Sequence, residues 1–513
     1  MKLIRLYIKD HLLLHDLDVR FNRSGRLDEK ENYRLDFLVG VNGSGKSTLL
    51  RTLVEIFASL QTGQGAEYEY SLEYELAKKD HTVKIFIDKH WNNENNVWHI
   101  VTTTITSEGE TKEFYNSVLE SQYLPDRVVV YTTGSEEEWK NLLADSFRYT
   151  FSPDAPQEVL NNPVDRSIFE LPISSGDSEG QNIFTQGELP FVFIRGSRLN
   201  SITLCGLLRF ITEPENPFNK PLSKVLEAIG IEKFTGFSLC FRIYDRLSPK
   251  TTYEEILSIQ PNEIRHASDR LIPFNLTSNN NLAKVLLEKT NGAFSLFQLL
   301  DSLQETGPTG EPTLQPPSIL LQRKEYKVTE DEGNTGDNIP SVFLLDWLSD
   351  GERAFLGRMS LLTMLDLDNS LIILDEPEVH FNDYWKREVV SLLDGMMHDH
   401  TNHVLITTHS SILLSDVTEG QITVFVKNPS GITEQRRPGI KTFGADPSEI
   451  MMVTFDTELS SGTRSEEELD NAIQNGDREK VAGLLEMIGP GMWRFRLKQR
   501  LEEIDAASAK SSL

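Results

Sequence analysis

Residues 40–48 read Gly40-Val41-Asn42-Gly43-Ser44-Gly45-Lys46-Ser47-Thr48, and this stretch restricts the fold more than any other. The apolar run Tyr33 to Leu38 precedes it, and Leu49-Leu50-Arg51-Thr52-Leu53-Val54 follows with helical periodicity, so G-x-x-x-x-G-K-S lies between a strand and a helix. In that setting the glycines let backbone amides converge, and the helix N-terminus adds a favourable dipole for phosphate. A glycine loop serving only as a turn is the alternative, and the strand-loop-helix context weighs against it. The chain is therefore expected to be α/β, with a mixed sheet and ATP as ligand. Lys46 should reach the β/γ-phosphates and Ser47 should ligate Mg2+, while Gly40, Asn42, Gly43, Ser44, Gly45 and Thr48 complete the cradle.

A second strand carries acid chemistry. Leu371-Ile372-Ile373-Leu374 is apolar and ends in Asp375-Glu376-Pro377-Glu378-Val379-His380. Adjacent carboxylates at a strand end can merely cap a turn. In a chain with a phosphate loop they fit a division of labour, Asp375 on the magnesium shell and Glu376 orienting and deprotonating the attacking water. A third strand, Val404-Leu405-Ile406-Thr407-Thr408, delivers His409. An imidazole there can hydrogen-bond the γ-phosphate and the attacking water, and so report whether ATP is intact.

Leu348-Ser349-Asp350-Gly351-Glu352 precedes a helical run from Arg353 to Leu365. Ser349 with Glu352 reads as a capping box. The same serine hydroxyl and the glycine amide can also be offered to the γ-phosphate of a nucleotide held by another subunit, which makes Ser349, Gly351 and Glu352 candidate ATP-binding residues. The two readings are compatible.

Bulk properties set bounds on the rest. A length of 513 residues exceeds what one core usually organises. No apolar stretch is long enough to span a bilayer, and the N-terminal segment lacks a signal-peptide pattern, so a cytoplasmic protein is expected. Cys205 and Cys240 have no partner cluster at ligand spacing. A net charge of -27 repels a polyanion at long range, so any DNA contact needs a local basic patch.

The order of these motifs resembles the AAA ATPases of the overcoming-lysogenization and SMC-like clan, with LSDGE similar to the LSGGQ signature in its LSxGE form. The resemblance covers about residues 1–55 and 340–415. Within the clan the chain is similar to the restriction-system-associated ATPase, the PtuA-type subunit of Septu anti-phage defence. Three further segments look like it, namely Leu124 to Gly134, Phe381-Asn382-Asp383-Tyr384-Trp385, and Gly489-Pro490-Gly491-Met492-Trp493-Arg494-Phe495-Arg496. The resemblance implies an ABC-type head that dimerises head to head and assembles into a higher oligomer. It also implies an HNH nuclease subunit of the PtuB type as partner, restrained until phage infection changes the nucleotide state. Asp350 departs from the family pattern, which has glycine there; its charge beside a phosphate site is expected to slow hydrolysis.

The expected organisation is a composite ABC-type ATPase head from 1–60 and 340–460, with an antiparallel β lobe over 61–125. A globular helical insertion over 126–303 and a flexible acidic, Pro- and Gly-rich loop over 304–340 separate its halves. Residues 461–513 form a C-terminal helical segment for partner docking or oligomerisation. The lobe rests on period-two alternation of Tyr68, Tyr70, Leu72, Tyr74 and Leu76. No heptad seam appears, so a long coiled-coil arm is not encoded. After His409 there is no D-x-D strand and nowhere an H-N-H pattern, so nuclease chemistry is expected in trans. A repair ATPase of the SMC/RecF type that binds DNA directly is the alternative. A transporter's nucleotide-binding subunit fits poorly, since the stretch between Ser47 and Ser349 exceeds such a subunit's usual helical subdomain.

Overall fold

The computed structural model describes residues 1–513 except 22, 64, 79–80, 94–95, 108, 116–117, 135, 140–141, 143–190, 217–218, 244–249, 278–280, 305–311, 324–341, 366, 456–461 and 512–513. Its 18 strands among the described residues form three sheets. The first is antiparallel, from β1 (Lys2–His11), β2 (Leu14–Arg20), β4 (Tyr70–Ala77), β5 (Thr82–Asn92), β6 (Val97–Thr106) and β7 (Thr111–Phe114), in the order β2-β1-β4-β5-β6-β7. The second combines β3 (Arg34–Gly40), β8 (Val128–Thr132), β9 (Phe191–Arg195), β15 (Leu371–Asp375), β16 (His403–Thr408), β17 (Ile422–Lys427) and β18 (Thr433–Arg436), in the order β18-β17-β3-β16-β15-β8-β9. The third, β10 (Ile231–Arg242), β11 (Ile264–His266), β12 (Asp269–Asn275), β13 (Ser318–Arg323) and β14 (Val342–Leu344), has the order β11-β12-β10-β13-β14.

The second sheet is parallel from β17 through β9, with only β18 antiparallel. Its central strands are mostly apolar because both faces are covered, and of the polar side chains among them Asp36, His403 and Thr407 are buried in hydrogen bonds. Helix α1 (Lys46–Thr62) packs Leu49, Leu53, Ile56 and Phe57 into a core that it shares with Leu38, Ile373 and Leu405 of this sheet and with Tyr70, Leu72, Tyr74 and Leu76 of the antiparallel one. The period-two stripe thus faces α1. The lobe is built differently from the sequence expectation, since β1 and β2 join it. The 61–125 stretch alone would lack β1 and β2; Leu6 and Ile8 keep the period of two, and a register shift between Leu3 and Arg5 lets Leu3 be buried as well.

The segment expected as a helical insertion is more mixed. Its β8 and β9 enter the central sheet, and β10 to β12 pair antiparallel. The helices here are α2 (Leu199–Thr212), α3 (Asn219–Ala228), α4 (Lys250–Ile259), α5 (Asn281–Lys289) and α6 (Ala293–Leu303). Part of the expected 304–340 loop is also a strand, β13, paired with β10 and burying Ile319 and Leu321. The surrounding Pro and Gly masked this short alternation; residues 305–311 and 324–341 of that expectation lie outside the described residues. Helix α7 (Asp350–Met364) crosses α2 with Gly206 against Ser360, so the helix after LSDGE is wedged into the body. Helices α8 (Asp383–Met397) and α9 (Ser411–Leu414) connect the last parallel strands.

One buried polar chain ties the lobe to the central sheet. The Leu3 amide donates to His403 Nδ1 at 2.8 Å, His403 Nε2 lies 2.9 Å from Asp36 Oδ2, and Arg26 donates to both oxygens of Asp36 at 2.6 and 3.0 Å. The Leu3 amide needs an acceptor, so the proton sits on Nε2 and the ring is neutral. Burial moves the His403 pKa down from 6.5 to about 4 despite Asp36. An unfolded His403 takes a proton near pH 6.5, and the folded one only near 4. Its share of stability, roughly 3 kcal/mol, is therefore complete above pH 6.5 and declines as pH falls toward 4. Urea unfolding at pH 7.5 and pH 5 should show this slope in the wild type and a flatter one in His403→Gln; equal slopes would count against it.

Residues 446–513 form a second compact unit. It holds α10 (Pro447–Thr454), α11 (Thr463–Asn475), α12 (Arg478–Met487) and α13 (Met492–Ser511), with Leu469, Ala472, Val481 and Leu497 as its small core. Asp477 caps α12 through the Lys480 amide, and Arg494 closes its other end on the carbonyls of Leu485 and Ile488. Among the described residues no helix is long and apolar enough to cross a membrane.

Candidate functional site

Strand β3 ends at Gly40, where a Cβ would lie 2.2 Å from the carbonyl oxygen of Phe425 on β17. No side chain fits, and the φ of 149° is one that only glycine adopts readily. The loop then folds on itself. The Ser44 amide donates to the Val41 carbonyl at 3.2 Å, Thr433 Oγ1 donates to the Ser44 carbonyl at 3.1 Å, and Gly45 caps α1 in the left-handed region. Lys46 is 6% exposed, and its Nζ donates to the carbonyls of Gly40 at 2.8 Å and Val41 at 3.3 Å. Burial lowers its pKa, opposed by the negative charges of Glu376 and Asp375. Ser44 Oγ is buried without a hydrogen-bond partner among the described residues, a donor whose capacity is not used within the loop. Asn42, Gly43 and Ser47 are exposed, and Thr48 is buried.

Asp375 stands at the end of β15, in register with Thr407 of β16 and Thr132 of β8. Parallel neighbours in register project to the same face, and both hydroxyls reach it. Thr407 Oγ1 donates to Oδ1 at 2.5 Å and Thr132 Oγ1 to Oδ2 at 3.1 Å. A carboxylate with two such donors keeps lone pairs for a hard cation, and with the exposed hydroxyl of Ser47 it offers Mg2+ the oxygen ligands it prefers.

Glu376 takes a φ of 51°. A left-handed glutamate costs on the order of 1 kcal/mol or more. The turn is held by the Glu376 amide, which donates to Thr407 Oγ1 at 2.9 Å and to the Thr407 carbonyl at 3.2 Å, and by Thr133 Oγ1 on the Glu376 carbonyl at 3.4 Å. The result is a carboxylate 3.1 Å from His409 Nε2. That hydrogen bond, with the charges of His409 and Lys46, holds Glu376 below the usual carboxylate range against the effect of burial. His409 is itself positioned by Glu378, which is 5% exposed and accepts from the His409 amide at 3.3 Å and from Thr408 Oγ1. Burial pushes the Glu378 pKa up, opposed by those hydrogen bonds.

Ser349 caps α7 by accepting from the Glu352 amide, and the Glu352 carboxylate accepts from the Ser349 amide at 2.9 Å and hydroxyl at 2.8 Å. Gly351 packs so closely that a Cβ would lie 2.9 Å from the His380 carbonyl oxygen. Ser349 is exposed, and among the described residues no hydrogen bond or ion pair joins 348–352 to the phosphate loop. The link from α7 to the acidic turn is Arg358, whose guanidinium donates to Tyr131 Oη at 2.9 Å and to the carbonyls of Pro377 at 2.6 Å and Val379.

The structure thus unites Lys46, Asp375, Glu376 and His409 at the ends of β3, β15 and β16, and among the described residues no hydrogen bond or ion pair ties Ser349, Gly351 or Glu352 to them. Thr132, Thr407, Glu378 and Arg358 escaped the sequence reading as site residues. Two apolar strands ending in paired threonines, Thr132-Thr133 and Thr407-Thr408, and an arginine inside an apolar helix were the available signals.

Residues 232–415 match the family described as "AAA domain, putative AbiEii toxin, Type IV TA system". Comparison with curated proteins gives no match. Similar solved structures include the SMC head domain from Thermotoga maritima, at 12% identity and a TM-score of 0.30, covering 86% of this chain and 100% of that one. Another is the Smc head domain with an extended coiled coil bound to the C-terminal domain of ScpA, derived from Pyrococcus furiosus. It is 11% identical with a TM-score of 0.28, and the match covers 85% of this chain and 96% of that one. With its glycine-lined loop between β3 and α1, its acidic strand end on β15 and its antiparallel lobe over α1, the chain has an α/β P-loop fold arranged like an ABC-type ATPase head.

Proposed function

We propose that this chain binds ATP with Mg2+ on the 40–48 loop and hydrolyses it in a site completed by a second copy. In this reading the cycle controls an HNH nuclease partner in anti-phage defence. The observation that carries the catalytic part is the Glu376 to His409 contact of 3.1 Å beside Lys46 and Asp375. A carboxylate kept ionised by His409 accepts the O–H of an attacking water and takes its proton as the water's bond to the γ-phosphorus forms and the bridging P–O bond breaks, with ADP leaving on that oxygen. Lys46 neutralises phosphate charge. Ser47 and Asp375 would hold Mg2+, which supplies charge neutralisation when bound. His409, held from behind by Glu378, carries the state of the γ-phosphate to the turn at Glu376.

The exposed capping box supports the two-copy part, because its serine is available to a neighbour and idle toward its own loop. A mixing experiment tests it. Lys46→Ala and Ser349→Ala chains should each hydrolyse ATP poorly, and mixing them should restore turnover, since one composite site of the mixed dimer keeps both elements. No recovery on mixing would overturn the shared site. The regulatory part rests on the motif resemblance and on the 446–513 unit as a docking element. Its test is co-purification with a small HNH protein encoded beside the chain, whose DNA cutting ATP suppresses. Salt-sensitive DNA binding by the isolated chain, with no such partner, would favour the SMC/RecF-type repair reading.

A further inference from the structure

The phosphate loop is bordered by a hairpin to which neither the motifs nor the proposed chemistry assigns a role. Strand β17 runs parallel to β3 with Phe425 opposite Gly40 and ends at Lys427, which pairs with Thr433 of β18. This hairpin is fastened to the loop at two points, the Phe425 carbonyl against Gly40 and Thr433 Oγ1 on the Ser44 carbonyl at 3.1 Å. At its end, Lys427 Nζ stands 3.8 Å from where a Cβ of Gly43 would be. The side chain is exposed, and among the described residues it makes no ion pair or hydrogen bond, although the chain carries 78 acidic residues that could pair with it. A lysine on a rigid support, over phosphate-binding glycines and without a carboxylate, has its charge free for an anion at the loop.

The sheet order decides which part of the anion. From β3, the carboxylates and His409 lie toward β16 and β15, and β17 lies on the opposite side. The γ-phosphate belongs beside Glu376 and His409, so the hairpin borders the end of the nucleotide nearer the ribose. We infer that Lys427 is a second phosphate-binding cation of the site and that it holds a phosphate common to ADP and ATP. The inference rests on the 40–48 loop being a nucleotide site. Lys46 serves the reacting end, and Lys427 contributes affinity to both substrate and product.

The test is titration of the full chain with fluorescent ADP and ATP analogues in Mg2+, using wild type, Lys427→Ala, Lys427→Arg and Lys46→Ala. Lys427→Ala should weaken both nucleotides by the same factor, about tenfold for one charge-assisted contact. Lys427→Arg should recover most of the loss, and melting temperatures should match because the side chain is exposed. A loss confined to ATP, or none while Lys46→Ala fails to bind, would overturn the role of Lys427 and leave the loop's role intact. Wild-type binding by Lys46→Ala would instead remove the nucleotide-site reading.

Discussion

Glu376→Gln should slow ATP turnover by on the order of a hundred- to ten-thousand-fold, the usual range for losing a general base, with ATP affinity near that of the wild type. The substitution is nearly isosteric, and its amide oxygen can still accept from His409 Nε2, so the contact now 3.1 Å long has a chemically reasonable replacement. What disappears is the capacity to take a proton. If hydrolysis opens a two-copy complex, the variant should also accumulate in a larger species on gel filtration with ATP and Mg2+, and the wild type should not. Steady-state phosphate release is the deciding measurement, and an unchanged rate would remove Glu376 from its proposed role.

Lys46→Ala should have the largest effect on binding, a loss on the order of a hundredfold or more, as expected when a charged donor to phosphate is deleted from a partly desolvated site. The folded chain itself should tolerate the change. Burial lowers the Lys46 pKa, which means that the protein holds this cation at some cost, and its two partners are carbonyls at the loop's mouth. Thermal melting without nucleotide should therefore stay within a few degrees of the wild type. Fluorescent ATP titration gives the affinity, and retention of wild-type binding would mean that the loop's lysine does not hold phosphate.

The residues of the proposed site stand out in the sequence because its parts are local. Each of the loop, the Asp375-Glu376 pair and His409 ends an apolar strand, and the alternation from Tyr68 to Leu76 announced the lobe. The supporting residues were not legible, because they act across strands. Thr132 and Thr407 matter to Asp375 only through register, Glu378 holds His409 from another strand end, and Arg358 reaches Pro377 from a helix. Long-range pairing also hid β8, β9 and β13, whose partners are distant in sequence and whose own patterns are short. Composition misled at 318–323, where nearby Pro and Gly outweighed three apolar residues in a six-residue strand.

The placement of β3 between β16 and β17 has a consequence for biosynthesis. The segment that carries the phosphate loop is made well before both of its neighbours in the sheet, which follow only at residues 403–408 and 422–427. Until then the nascent chain must keep an apolar strand with two open edges from pairing with other chains, a state prone to misassembly and a natural client for chaperones. Nascent fragments that stop before residue 403 contain the whole phosphate loop but lack the strands that brace it, so the loop gains its fixed shape only once residues 403–427 have been made.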